Sequence, residues 1–361
     1  MYRFYLRAFL LALLAFAVAI WAPVAFAASE NSLQIPQLKA GRTRPLIVIA
    51  ADNQGTETTD LVVPYGIIRS AGVADVLVVS THAGVVDLMP ALKIKPDTTM
   101  SEFDQAHPEG ADIVIVPAMH DDRSRDVIAW IRQQSSKRAM VVSICEGARL
   151  AARAGVFEGK RATTHWYAFD EMRRTFPHAQ WVRNQRYVVD GNVMSTTGVT
   201  ASIPASLALV EAIGGTAKAQ SIAARLGVDG WSAAHDATPF RMTTGRLWRF
   251  AGNYLAFWNH ETIRLPAQDG FDEIALALTA DAWSRTFRSQ AVVAEKAASI
   301  RSRNGLVLVP DFSSDIGASV VEIPILPSAL VLDDALSQIS ERYGSRTSDI
   351  VMLQLEYPAK H

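Results

Sequence analysis

Cysteine is the residue this chain has least of: one, Cys145, in 361 residues. A single thiol excludes an internal disulfide and any cysteine-rich metal site. No HExxH spacing points to a metal centre, and no GxGxxG or P-loop pattern points to a nucleotide. No metal and no cofactor are therefore expected. Charge of one sign is also lacking. Lysine and arginine number 35 against 36 acidic residues, a net charge of −1, without the basic footprint that phosphate backbones need. Nucleic acid is thus not an expected partner. No repeat period is visible. Hydrophobic residues at 49 % and charged residues at 20 % are the balance of an ordinary globular enzyme, and the length suggests about two domains.

One long apolar run exists, at the N-terminus. Arg3 and Arg7 precede it, Ala8 to Trp21 is uninterrupted, and Ala25-Phe26-Ala27 is a small-x-small site. That order is a secretory signal peptide cut after Ala27, which makes the mature protein periplasmic or secreted. The alternative is an uncleaved anchor facing the periplasm, because the apolar stretch reaches spanning length. Residues 28–44 are polar and unpatterned and read as a tether.

From residue 45 the chain alternates. Pro45–Ala51, Ala74–Ser80, Asp112–Pro117 and Val141–Ile144 are apolar, β-branched strand runs. Helical patterns fall at Thr56–Ala71, Arg123–Gln134 and Ile203–Ile213, and residues 84–100 read as a hairpin-like insert. Two short strands, at Tyr187–Val189 and Val193–Ser195, precede the last helix, which Gly214-Gly215 closes. Such alternation implies a mostly parallel sheet covered on both faces, with its site at the carboxyl ends of the strands. Beyond residue 215 the alternation weakens. Helices are expected at Ala217–Leu226, Thr244–Phe257, Phe271–Phe287 and Asp334–Tyr343, a strand at Leu306–Pro310, and strand or helix at Ser348–Tyr357. This gives a domain over 45–215 and a mainly helical α/β segment of unknown role over 216–361.

Cys145 sits where a buried strand turns into a helix, with Glu146-Gly147-Ala148 following. A lone cysteine after an apolar run is more often an inert core residue. A nucleophile at a strand-to-helix turn is also the geometry of a nucleophile elbow. There the helix N-terminus favours a thiolate.

The segment SICEGARLAARAGVFEGKRATTHW decides between these readings. It resembles the cysteine segment of the ThiJ/PfpI superfamily, the class I glutamine amidotransferase-like fold. It is most similar to the version at the front of AraC-type regulators. The resemblance implies a flavodoxin-like three-layer sandwich over 45–215 and a functional Cys145. In that pattern an acid stands four residues ahead of a proline in the first helix, and here Asp60 stands so before Pro64. Asp60 is thereby implied to hydrogen-bond or deprotonate Cys145 or a substrate water, with Glu57 as the solvent-facing acid. His165, in ATTHW, could serve as base or proton shuttle if a short strand returns it to the elbow. It could equally be a structural histidine bonding a backbone carbonyl beside Trp166. Backbone amides of Glu146 and Gly147 would receive developing negative charge. Thr197 and Gly198 match the family's small-residue turn.

Three departures limit the chemistry. Glu146 replaces the histidine of the protease branch and would raise the neighbouring thiol's pKa, which disfavours peptidase activity. Where the family commonly has glycines, the loop after Pro117 holds His120, which could add a polar group to the pocket. Pro204 stands where amidotransferase chemistry needs an acid. His235 and Asp236 lie outside the matching region and read as loop or cap. The expected function is a cysteine-dependent hydrolase, hydratase or lyase on a small electrophile. The alternatives are a ligand-binding or redox-sensing regulatory module and a structural relic of the fold. A small molecule is the expected partner, and family habit implies a homodimer.

Overall fold

The computed structural model describes residues 33–311 and 319–358. The expected signal peptide lies outside them, as does the start of the tether. Leu46–Ala51 (β1), Asp75–Ser80 (β2), Thr98–Thr99 (β3), Ile113–Val116 (β4), Met140–Ser143 (β5), Tyr187–Asp190 (β6) and Val193–Thr196 (β7) build one sheet. Their order is β6-β7-β5-β4-β1-β2-β3. Every pairing is parallel except β6 with β7.

The three central strands β1, β4 and β5 are buried at every position, as strands covered on both faces must be. Strand alternation sorts their side chains into two cores. Ile47, Ile49, Ile113, Ile115 and Val142 face one; Val48, Ala50, Val114, Val116 and Val141 face the other. Helices Thr58–Ala71 (α1), Met100–Ala106 (α2), Arg125–Ser136 (α3), Gly147–Arg153 (α4), Trp166–Thr175 (α5) and Ser202–Gly214 (α6) interleave with the strands. The first core takes Leu61 and Ile67 of α1 and Leu207 of α6. The second takes Phe103, Trp130, Leu150 and Met172 of α2 to α5. The result is a three-layer, flavodoxin-like α/β sandwich.

The remainder of the chain is α/β as well. Its helices are Thr216–Leu226 (α7), Thr244–Leu255 (α8), Glu273–Ser284 (α9), Val331–Tyr343 (α10) and Ser345–Leu355 (α11). The ambiguous closing stretch is therefore helical. Glu261–Arg264 pairs in parallel with Ser289–Val292 and Ser319–Val320, a small sheet with no clear mark in the sequence. The insert after β2 is an antiparallel hairpin, Val86–Met89 with Lys93–Lys95, and Val307–Leu308 adds a strand to it from far along the chain.

Helix α9 is buried along its whole length and lies against α1. The approach is close at Gly66, where an added Cβ would stand 2.7 Å from Ile274 Cγ1 and 2.8 Å from Glu273 Oε1. Ile274, Leu278 and Trp283 join Leu61 and Ile67 in one continuous core. From Leu33 onward the chain clusters as one compact unit.

Candidate functional site

Cys145 follows β5 and carries φ = 54°, a left-handed conformation for a residue with a side chain. Such strain persists only where the surroundings over-determine it, and here they do. Thr196 Oγ1 accepts the Cys145 amide at 3.1 Å, and the Thr164 hydroxyl donates to its carbonyl at 3.0 Å. The Ile144 amide is held by the Val116 carbonyl at 2.9 Å. The strand-to-helix turn is thus an elbow, and ATTHW does return to it.

Gly147 has a different role from the one expected. Its amide is taken by the Ile144 carbonyl at 2.8 Å, so it cannot serve an oxyanion. An added Cβ would lie 2.0 Å from Val116 O. Glycine is required there for close approach to β4.

Asp60 is wholly buried in the first turn of α1. Its Oδ2 accepts the Ala118 amide at 3.0 Å, and its Oδ1 has no partner. Burial, then the neighbouring Glu57 carboxylate, holds the Asp60 carboxyl well above the usual range. Burial first, and the Asp60 charge second, push the Cys145 thiol well above its ordinary value. The expectation of a thiolate stabilised by the helix N-terminus is therefore overturned. Helix α4 spans only seven residues, and burial together with the carboxylates around the sulfur outweighs it.

Glu57 is not the solvent-facing acid expected. It is buried, caps α1 by accepting the Asp60 amide, and takes a bond from Arg285 at 2.6 Å. Arg285 also bonds Asp281 at 2.7 Å. Asp281 lies fully buried in α9, and burial raises its carboxyl to about 8 despite that partner. The C-terminal segment thus delivers an arginine and a carboxyl to the cysteine site. Nothing in the local sequence marks Arg285 or Asp281, because their partner Glu57 is far away in the chain.

A cavity of about 430 Å³ opens beside the sulfur. Cys145, Glu146, His120, His165, Glu57 and Arg285 line it, with Met89, Met119 and Phe287 as apolar wall. His165 Nε2 donates to the Gln354 carbonyl at 3.1 Å, and Trp166 Nε1 donates to Leu353 O at 2.9 Å. His165 thus makes the carbonyl bond of a structural histidine while lining the cavity. Its buried Nδ1 has no hydrogen bond and stands 3.8 Å from Glu146 Oε1. Glu146 itself is held by Arg149 at 2.7 Å. Asp60 lies off the cavity wall, so it can reach the chemistry only through the sulfur.

Two expected residues lie elsewhere. Thr197 lines a separate cavity, and the Gly198 amide is occupied by Glu356 Oε2 at 2.6 Å. The same carboxylate accepts from His235 Nε2 at 3.0 Å in a buried pair. Glu356 fills the space beside Gly198. Among the described residues no cluster of His, Cys, Asp or Glu is placed to hold a metal ion.

The DJ-1/PfpI family profile matches residues 45–212. An isonitrile hydratase of Pseudomonas putida is 33 % identical over 171 residues, 46 % of this chain and 72 % of that protein. The chain belongs to the DJ-1/PfpI family. An HTH-type transcriptional regulator, CdhR of Pseudomonas aeruginosa, is 31 % identical over 84 residues, 23 % of this chain and 25 % of the regulator. The crystal structure of Drosophila melanogaster DJ-1beta aligns with a TM-score of 0.45 at 23 % identity, over 51 % of this chain and 98 % of that one. The family match stops before α7, so Arg285 and Asp281 lie outside it.

Proposed function

We propose that this chain is a cysteine-dependent hydratase, hydrolase or lyase acting on a small, uncharged or cationic electrophile. The carrying observation is the elbow sulfur of Cys145, open to a 430 Å³ cavity and coupled by charge to the buried Asp60. A bare thiolate is costly there. Transfer of the thiol proton to Asp60 keeps the total charge of the pair constant, so burial does not oppose it. Attack by Sγ on the electrophilic carbon then forms the S–C bond as the proton passes to Asp60, the adduct takes its proton from water, and Asp60 returns its own to the sulfur when that bond breaks. Water completes the turnover and releases the sulfur as thiol.

Charge limits the substrate. Arg285, the arginine lining the cavity, is already bonded by Glu57 and Asp281, which leaves no free guanidinium to receive an anionic substrate. An isonitrile, the substrate class named by the Pseudomonas putida relative, is neutral and fits, as does an amide or a reactive carbonyl. Saturable turnover of such a panel, abolished in Cys145→Ala with the fold retained, tests the proposal. Unchanged turnover overturns it.

A second reading, ligand binding beside Cys145 without turnover, draws on the raised thiol pKa, which disfavours both attack by the sulfur and its oxidation. It predicts saturable binding of the same panel with no product. The order of Arg3, Arg7, Ala8–Trp21 and Ala25-Phe26-Ala27 supports export of the chain. Sequencing the N-terminus of protein recovered from cells tests this, and an N-terminus at Met1 rejects cleavage.

A further inference from the structure

Helix α8 turns its apolar stripe outward. Leu247, Trp248, Tyr254 and Leu255 fall at i, i+1, i+7 and i+8 on one face, and Trp258 follows in the 3₁₀ turn Phe257–Asn259. Each is more than half exposed, as is Phe257 beside Trp258. The inward face is the polar one. Arg246 bonds both carboxylate oxygens of Asp349, and the buried Asn253 donates to Thr286 O at 2.8 Å. A surface helix ordinarily buries its apolar stripe, and a contiguous exposed patch of this kind marks an interaction surface.

Charge selects the partner. From Ala237 to His260 there is no acidic residue, while Arg241, Arg246 and Arg249 fall within that stretch. A cavity of about 800 Å³ lies against the first half of α8 and is lined by Arg241, Arg246, Arg249 and Arg346 with Asp236 and Asp349. Arg246 is bound to Asp349. Arg241, Arg249 and Arg346 form no ion pair among the described residues. Two copies joined through this face would set arginine against arginine. Tryptophan, tyrosine and leucine on one side with arginine at the rim is instead the chemistry of a helix lying in a lipid interface. Among the described residues no helix is long and apolar enough to cross a membrane, so contact of this kind is superficial.

We infer that α8 and the Phe257–Trp258 turn dock on an anionic phospholipid bilayer. The aromatic stripe enters the headgroup boundary, and the exposed Arg241 and Arg346 meet lipid phosphates. The test is tryptophan quenching of the full chain by vesicles of phosphatidylglycerol and brominated phosphatidylcholine. Wild-type emission is quenched, and the quenched component is lost in Trp248→Phe/Trp258→Phe, which leaves the fold and the cysteine site untouched. Arg241→Glu/Arg346→Glu removes the preference for phosphatidylglycerol over pure phosphatidylcholine, and millimolar inorganic phosphate leaves vesicle binding in place. Equal quenching with and without Trp248 and Trp258 overturns the inference, since the contact would then lie elsewhere. An unquenched wild type that doubles in mass, and becomes monomeric in Leu247→Ser/Trp248→Ser, overturns it in favour of self-association.

Discussion

Arg285 reaches across the molecule to bond Glu57, the residue that caps the helix carrying Asp60. A segment outside the family match thereby braces the helix that carries Asp60. Two carboxyl groups, those of Glu57 and Asp281, bond that single guanidinium. Removing it leaves two buried acids uncompensated.

Arg285→Ala is therefore expected to destabilise the protein by about 3 kcal/mol, read from the denaturation midpoint. Arg285 lowers the Cys145 pKa, so its loss also moves the thiol midpoint upward. Arg285→Lys restores part of both. A variant as stable as wild type would show that the bridge is dispensable.

Gly147→Ala forces a methyl group against Val116 O. The expected cost is more than about 3 kcal/mol, beyond the usual range for overpacking because the obstacle is backbone. Gly66→Ala meets side chains of α9 instead and should cost about 1–3 kcal/mol. Thermal unfolding of the two variants checks the ranking.

Both results turn on contacts that the sequence discloses unevenly. Strands β1, β4 and β5 were legible because burial on both faces leaves unbroken β-branched runs. The elbow was legible because its glycine and the alanine-rich helix are local. Glu57 was misread because an N-cap acid and an exposed first-turn acid look the same in sequence. What separates them is Arg285, 228 residues away. Gly198 matched a family turn by its letters, yet its amide is claimed by Glu356, which no local pattern could reveal. The two-residue strands and the small parallel sheet were too short to show a period.

Asp60→Asn should make the protein more stable while making it inactive. The folded-state pKa of Asp60 lies above its unfolded value of about 3.9. Stability is therefore greatest below that unfolded value and falls as pH rises toward the folded one. An amide cannot ionise and escapes this loss. The gain of Asp60→Asn over wild type is absent near pH 3, grows with pH, and levels off above the folded pKa. Turnover should drop by about 10²–10⁴-fold, the contribution of a positioned general base. Denaturant midpoints between pH 4 and 9 read the first effect and initial rates the second.

A buried thiol with raised pKa also reacts slowly. Alkylation of wild-type Cys145 by a neutral reagent should be sluggish at pH 7 and accelerate only above the ordinary thiol midpoint of about 8.5. Rapid labelling at pH 7 would mean that the carboxylates do not govern the sulfur.

The most direct measurement is that alkylation profile in wild type and Asp60→Asn, set beside their turnover. With the like charge removed, Cys145 should titrate at lower pH in the variant and yet turn substrate over far more slowly, because the acceptor of the thiol proton is lost. An unmoved midpoint, or turnover that rises with the extra thiolate, would contradict a working Cys145–Asp60 couple.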